Sequence, residues 1–293
     1  MKLQRAVPAV SVMLAALAVA PAFGQAPPPT LPPPQLDNLV ARIALYPDPL
    51  IAQILAAATY PDQVQPAAMW ADQHHYLTGA ALASAIQADQ LPWDPSVQAL
   101  LPFPSVLEMM SSDMNWTTQI GNAFLVQQPD VMDAIQRERV KARDFGYLRS
   151  NAQIVVGGGP YITIMPANPA FMVVPYYDPG IVFLAPRPGF AVGGAISFGY
   201  GITIGAFFRP WGWGPGLGRF DWGSHAVFIN NHPWGRTWGN RVTYVHPYEA
   251  VRRPAPGAAR PVEGHQLEQR SPEERKAAQT GKRLPPERHK GKG

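Results

Sequence analysis

The chain has 293 residues, 46% of them hydrophobic, with a formal net charge of +4. It contains no cysteine, which excludes a disulfide framework, thiol catalysis and thiolate metal sites. Its 34 prolines and 26 glycines are about a fifth of all residues, so elements punctuated by frequent turns are expected.

Residues 1–24 read as an export leader. Lys2 and Arg5 form a positive start, Ala6 to Ala20 an uncharged apolar run, and Ala22-Phe23-Gly24 a cleavage site. Cutting after Gly24 starts the mature chain at Gln25; a cut after Ala22 is the competing choice. The apolar run is shorter than the roughly 20 residues that span a bilayer, which favours a leader over an anchor. The expected location is the periplasm or cell envelope. Residues 25–36 hold six prolines and are expected to form an extended spacer.

From 37 to 149 the apolar spacing is helical, in six or seven short pieces. Leu50, Ile51, Ile54, Leu55 and Ala58 share one helical face, and Val64, Ala67, Ala68 and Ala71 another. Asp48-Pro49, Asp94-Pro95 and Thr78 place a side-chain acceptor before a helical run. Pro129-Asp130 divides Trp116–Gln128 from Asp130–Phe145, and Gly146 closes the last helix. Tyr46-Pro47-Asp48 recurs as Tyr60-Pro61-Asp62, one helix-turn unit used twice.

At Asn151 the period changes, and 150–250 is expected to be an antiparallel β and Gly/Trp-rich region. Residues 154–156, 161–165, 171–174 and 181–184 are β-branched and aromatic runs separated by Gly, Pro and Asn turns, expected to form a meander. The predicted fold class is therefore α+β. An N-terminal bundle of short helices precedes a small antiparallel β region, with a disordered basic C-terminal tail at 251–293.

Several segments together resemble a family of exported bacterial proteins. They are Tyr46-Pro47-Asp48-Pro49-Leu50, Trp93-Asp94-Pro95-Ser96-Val97, Phe103 to Met110, Trp116 with Gly121 and Phe124, and Gln128 to Met132. Pro166-Ala167-Asn168-Pro169 followed by Val173 to Pro179 completes the set. The family is catalogued as domain of unknown function 3300, and the resemblance covers roughly 37–245. It implies an envelope-associated protein and brings no activity, cofactor or catalytic residue.

Residues 188–208 are uncharged, so a membrane helix competes with strands. From Ile196 to Phe208 large side chains occupy the even positions and Gly, Ser or Thr most of the odd ones, the period of a strand with one bare face. That bare face admits another backbone or an aromatic ring. Five tryptophans then precede glycines: Trp211, Trp213, Trp222, Trp234 and Trp238. Either they anchor a core at tight turns, or they expose indoles that stack on sugar rings. Arg209, Arg219, Arg236 and Arg241 alternate with them, suited to cation–π contacts or anionic glycans. These rings, with Arg209, Arg219 and Arg236, are the candidate partner-binding residues.

No cofactor is expected. The seven histidines lack zinc-protease spacing, and neither a Gly-x-Ser-x-Gly elbow nor a phosphate loop is present. Residues 251–293 hold eleven Lys/Arg against five Glu, while 25–250 is net acidic. The basicity thus describes a tail rather than a nucleic-acid face, and no nucleic-acid partner is expected. The leading expectation is an exported, non-catalytic envelope protein binding peptidoglycan or another envelope partner through the Trp-Gly segment. Membrane contact is expected to be at most peripheral; the alternative is a membrane-associated assembly protein in which 188–208 pairs between subunits or inserts into a bilayer and the basic tail holds it at anionic lipid.

Overall fold

The computed structural model describes residues 26–186 and 193–248. The expected leader, the basic tail and residues 188–192 of the uncharged segment lie outside the described residues. Helices α1 (Pro33–Val40), α2 (Asp48–Ala58), α3 (Pro61–Gln73), α4 (Gly79–Ala88), α5 (Pro95–Gln98), α6 (Pro104–Ser112) and α7 (Met114–Asp144) come first. All but α4 and α7 carry proline in the first turn, where its missing N–H has no helical partner to lose. Asp94 caps α5 as expected, accepting from Ser96 N at 2.9 Å. Thr78 precedes α4 without a side-chain cap bond. The spacer is shorter than expected, because Pro33 to Leu36 already belong to α1 and Leu36 is buried.

Helix α2 departs from the one-faced expectation, since all 11 of its residues are buried. Residues Ile43 to Leu45 before it are buried as well, so α2 is the central rod of the core. Helix α7 crosses it at Gly121, where a β-carbon would stand 1.9 Å from the Ala58 carbonyl oxygen. No side chain fits there.

The break expected near Pro129 is a kink within α7, with Gln127 at φ −142°, ψ 50°. Proline lacks the N–H that would bond the carbonyl four residues earlier. That carbonyl, Leu125 O, instead accepts from Trp238 N at 3.1 Å. The displaced Gln127 side chain holds the extended arm reciprocally, accepting from Leu31 N and donating to Leu31 O. Gly146, at φ 82°, lets Tyr147 and Leu148 cap the Ala142 carbonyl.

The second half contains β1 (Ile154–Gly157), β2 (Thr163–Pro166), β3 (Phe171–Met172), β4 (Pro175–Tyr177), α8 (Pro179–Val182), β5 (Ile196–Phe198) and β6 (Ile202–Thr203). A 3-10 turn (Ala206–Trp211) leads to β7 (Arg219–Asp221), β8 (Ala226–Ile229) and β9 (His232–Pro233). The chain is α+β, with all strand pairs antiparallel. The pairing is not a meander: β1 pairs β2, but β3 pairs β6 and β4 pairs β5. Residues 181–184, expected as a strand, begin inside α8, because Asp178 caps Pro179 and accepts from Gly180 N at 2.8 Å.

The alternation of 196–208 yields strands to Thr203 and then a 3-10 turn. At two glycines its bare face meets aromatic residues of this same chain. A β-carbon on Gly199 would meet the Tyr176 ring at 3.2 Å, and one on Gly201 would meet Phe171 at 3.3 Å. Among the described residues no helix is long and apolar enough to cross a membrane.

Candidate functional site

The tryptophans of the Trp-Gly segment turn inward. Trp211 and Trp213 are each 1% exposed, and Trp222 and Trp234 are also buried. Trp211 Nε1 donates to Gln98 Oε1 at 2.9 Å and Trp213 Nε1 to Ala99 O at 2.8 Å, so both rings anchor on α5 and its end. Gly212 has φ 83°, and a β-carbon there would stand 3.0 Å from Gln53 Nε2. The glycine serves a tight turn and close packing, not the uncovering of an indole face. This corrects the expected binding surface for Trp211, Trp213, Trp222 and Trp234: a segment poor in aliphatic residues uses its indoles as core. Trp238 is half-buried, with the Arg241 guanidinium 3.8 Å from its ring centroid.

The arginines separate as well. Arg236 is buried, lies 3.6 Å over the Tyr60 ring and donates to the Thr59 carbonyl and hydroxyl. Arg219 is exposed and lies over Phe228 at 3.8 Å, while Arg209 is exposed on the 3-10 turn. The candidate residues therefore do not converge on one ligand face.

A buried ion pair missed by sequence reading ties the two halves together. Arg139 Nη1 stands 2.7 Å from Asp48 Oδ1, and Arg139 also donates to the carbonyls of Ala44, Tyr46 and Ile162. Asp48 accepts from Ile164 N at 3.3 Å and from Trp222 Nε1 at 3.2 Å. Asp48 is thus no cap. Arg139 is 0% exposed, so the cluster positions structure rather than reaching a ligand.

Among the surface grooves of the described residues, one of about 420 Å³ lies between the α3–α4 connection, the start of α6 and residues 200–208. Its floor includes Leu82, Leu101 and Phe208, all buried, and its lip carries Tyr200, which is 99% exposed. Its lining contains no Asp, Glu, Lys or Arg. Two histidines line the side, and both finish α3. Helix C-termini leave carbonyls without partners, and here His74 Nδ1 donates to Trp70 O at 2.8 Å and His75 Nδ1 to Asp72 O at 2.6 Å. A carbonyl oxygen only accepts, so each Nδ1 carries a proton, and Nε2 is the ring atom left for a ligand.

An aromatic stack stands beside the groove. The His74 ring lies on Trp70 with centroids 3.9 Å apart, and Tyr76 continues the stack at 6.4 Å. Trp70 is fixed by donating Nε1 to Asp89 Oδ2 at 2.8 Å. The half-buried His74 and the exposed His75 both line this groove.

His225, Asp178 and Asp221 have structural partners. His225 Nε2 pairs with Asp133 at 2.8 Å, Asp178 caps α8, and Asp221 accepts from Ser224 N at 3.2 Å. The Ser224 hydroxyl and backbone hold the exposed Asp221 carboxyl below its usual range. Among the described residues no group of three or more His, Asp or Glu is placed to hold a metal ion.

The family model for a protein of unknown function (DUF3300) matches residues 33–233. The chain belongs to this family. The matched span contains both the Arg139–Asp48 pair and every residue lining the groove. Over 182 residues the chain is 35% identical to the uncharacterized protein YacH of Escherichia coli (strain K12). That match covers 51% of this chain and 29% of the relative, so the chain corresponds to less than a third of its length. No solved structure matches the chain.

Proposed function

We propose that this family member is an exported, non-catalytic protein of the cell envelope that acts by binding, with peptidoglycan or another envelope glycan as its partner. The observation that carries this reading is the uncharged groove beside the Trp70–His74–Tyr76 stack, lipped by an almost wholly exposed Tyr200. Planar rings with open faces suit the apolar faces of sugars, and a concave, largely apolar wall with a few polar groups suits a small ligand unit. The leader-like residues 1–24 support export. The Trp-Gly segment contributes by support: Trp213 N donates to the Phe208 carbonyl, and Trp211 packs 6.0 Å from the Phe208 ring in the groove floor.

Sedimentation with isolated cell-wall sacculi tests the reading. The wild-type chain is expected to co-sediment, and a Tyr76→Ala/Tyr200→Ala variant to stay in the supernatant with an unchanged thermal melt. Equal retention of the folded variant, or no retention of the wild type, overturns it. Intact mass of periplasmic protein checks export, with Gln25 as the expected first residue.

A further inference from the structure

We infer that the groove recognises an N-acetylated hexosamine, an uncharged sugar ring carrying an acetamido group; this rests on the glycan-binding reading above. Three observations select that chemistry. First, the lining has no carboxylate, lysine or arginine, so no permanently charged side chain is there to pair with a phosphate, a carboxylate or an ammonium group. Desolvating such a charge without a partner is strongly unfavourable, which selects a neutral ligand.

Second, the histidine edges leave Nε2 to the ligand. Nδ1 of both His74 and His75 is committed to a backbone carbonyl, so Nε2 is the ring atom left to a ligand, and it receives a proton donor whenever the ring is neutral. An acetamido N–H and ring hydroxyls are donors of that kind. Thr78, Thr203 and Tyr200 add hydroxyls that answer the acceptor oxygens of a sugar.

Third, the floor is apolar and the lip is aromatic. Leu82, Leu101 and Phe208 form a buried surface suited to the acetamido methyl, while the exposed Tyr200 ring suits the C–H face of the pyranose. A proline-rich peptide also likes aromatic grooves, but its backbone presents carbonyl acceptors and no proline N–H. It leaves the two Nε2 acceptors unanswered.

Titration calorimetry of the full chain with the N-acetylglucosamine trimer tests this, with the glucose trimer and a decaproline peptide as comparison ligands. The acetylated trimer is expected to bind at least about tenfold tighter than the glucose trimer, since one well-placed hydrogen bond and a buried methyl give that ratio. Tyr200→Ala is expected to weaken binding about tenfold, while Tyr200→Phe stays within about threefold, because the ring face is kept. His75→Ala is expected to weaken the acetylated trimer more than the glucose trimer. Equal binding of both sugars, binding indifferent to Tyr200→Ala, or preference for decaproline overturns the inference. Retention on sacculi without any binding of the trimer overturns it while leaving the glycan-binding reading standing. Loss of both results overturns both.

Discussion

The two Tyr-Pro-Asp copies, 46–48 and 60–62, start consecutive helices and each stands beside an arginine from far along the chain, yet the chemistry differs. At the first, Asp48 is 3% exposed and forms the ion pair with Arg139, bracketed by Trp222. At the second, Asp62 is exposed and it is the Tyr60 ring and the Thr59 oxygens that receive Arg236. Burial pushes the Tyr46 hydroxyl up to about 12, and burial with the Asp94 carboxylate beside it pushes Tyr60 up further. The tripeptide specifies a helix start in both places. What its carboxylate does depends on which side of the core it meets: Asp48 faces the passage of α7, Asp62 faces water. The same contrast separates an ion pair whose value lies in completeness from a cation held by a ring face.

The largest expected effect is at the first copy. Asp48→Ala leaves the Arg139 guanidinium buried without its counter-charge and is expected to cost about 3–5 kcal/mol in denaturant unfolding. Combining Asp48→Leu with Arg139→Met is expected to recover most of that loss, because both charges then leave the interior together. A single substitution costing under about 1 kcal/mol would erase the distinction between the copies.

At the second copy, Arg236→Met removes the contact with Tyr60 and the bonds to Thr59, with an expected loss of about 2 kcal/mol. Arg236→Lys is expected to recover part of it only, since a point charge does not reproduce the planar guanidinium on the ring.

Acid distinguishes the two surroundings further. His246, packed on Trp234 near the second copy, donates Nε2 to Ile229 O and accepts at Nδ1 from the Tyr244 hydroxyl, both at 2.7 Å. Burial pushes its pKa below the ordinary 6.5. The unfolded chain therefore takes up the proton first, so this contribution to stability is complete above about pH 6.5 and declines as pH falls through the folded value. Melting curves between about pH 7.5 and 5.5 are expected to show a steeper loss for wild type than for His246→Gln. Parallel curves would remove His246 from the account. Smallest of all, Asp62→Asn is expected to shift stability by no more than about 0.5 kcal/mol, as a surface change at a helix start.

Local chemistry was legible in part: the caps expected of Asp48 and Thr78 do not form. Asp94-Pro95 predicted a cap and forms one, and the bare face of 196–203 predicted close aromatic packing, found at Gly199 and Gly201. Asp178-Pro179 carried the same cap signal as Asp94-Pro95, but the apolar run after it favoured a strand reading. Asn230 and Asn231, at φ 51° and 61°, make the two-residue turn between β8 and β9, a hairpin signal present in the sequence and not used. The Trp-Gly pairs were ambiguous for a physical reason: an indole beside glycine is equally suited to a core turn and to an open sugar platform. Burial decided between them.

By itself the sequence determined the change from helical to strand period near Asn151, the proline-led helix starts, the family and the lack of thiol chemistry. All of these depend on backbone geometry and side chains within a few positions of one another. The tertiary structure alone decided that α2 is enclosed on every side, that Asp48 meets Arg139, and that His74 and Tyr200 line one groove. Such contacts join residues roughly a hundred positions apart or compare one face of an element with another. No local pattern encodes which face the rest of the chain will cover, because that choice is made by packing the whole core at once.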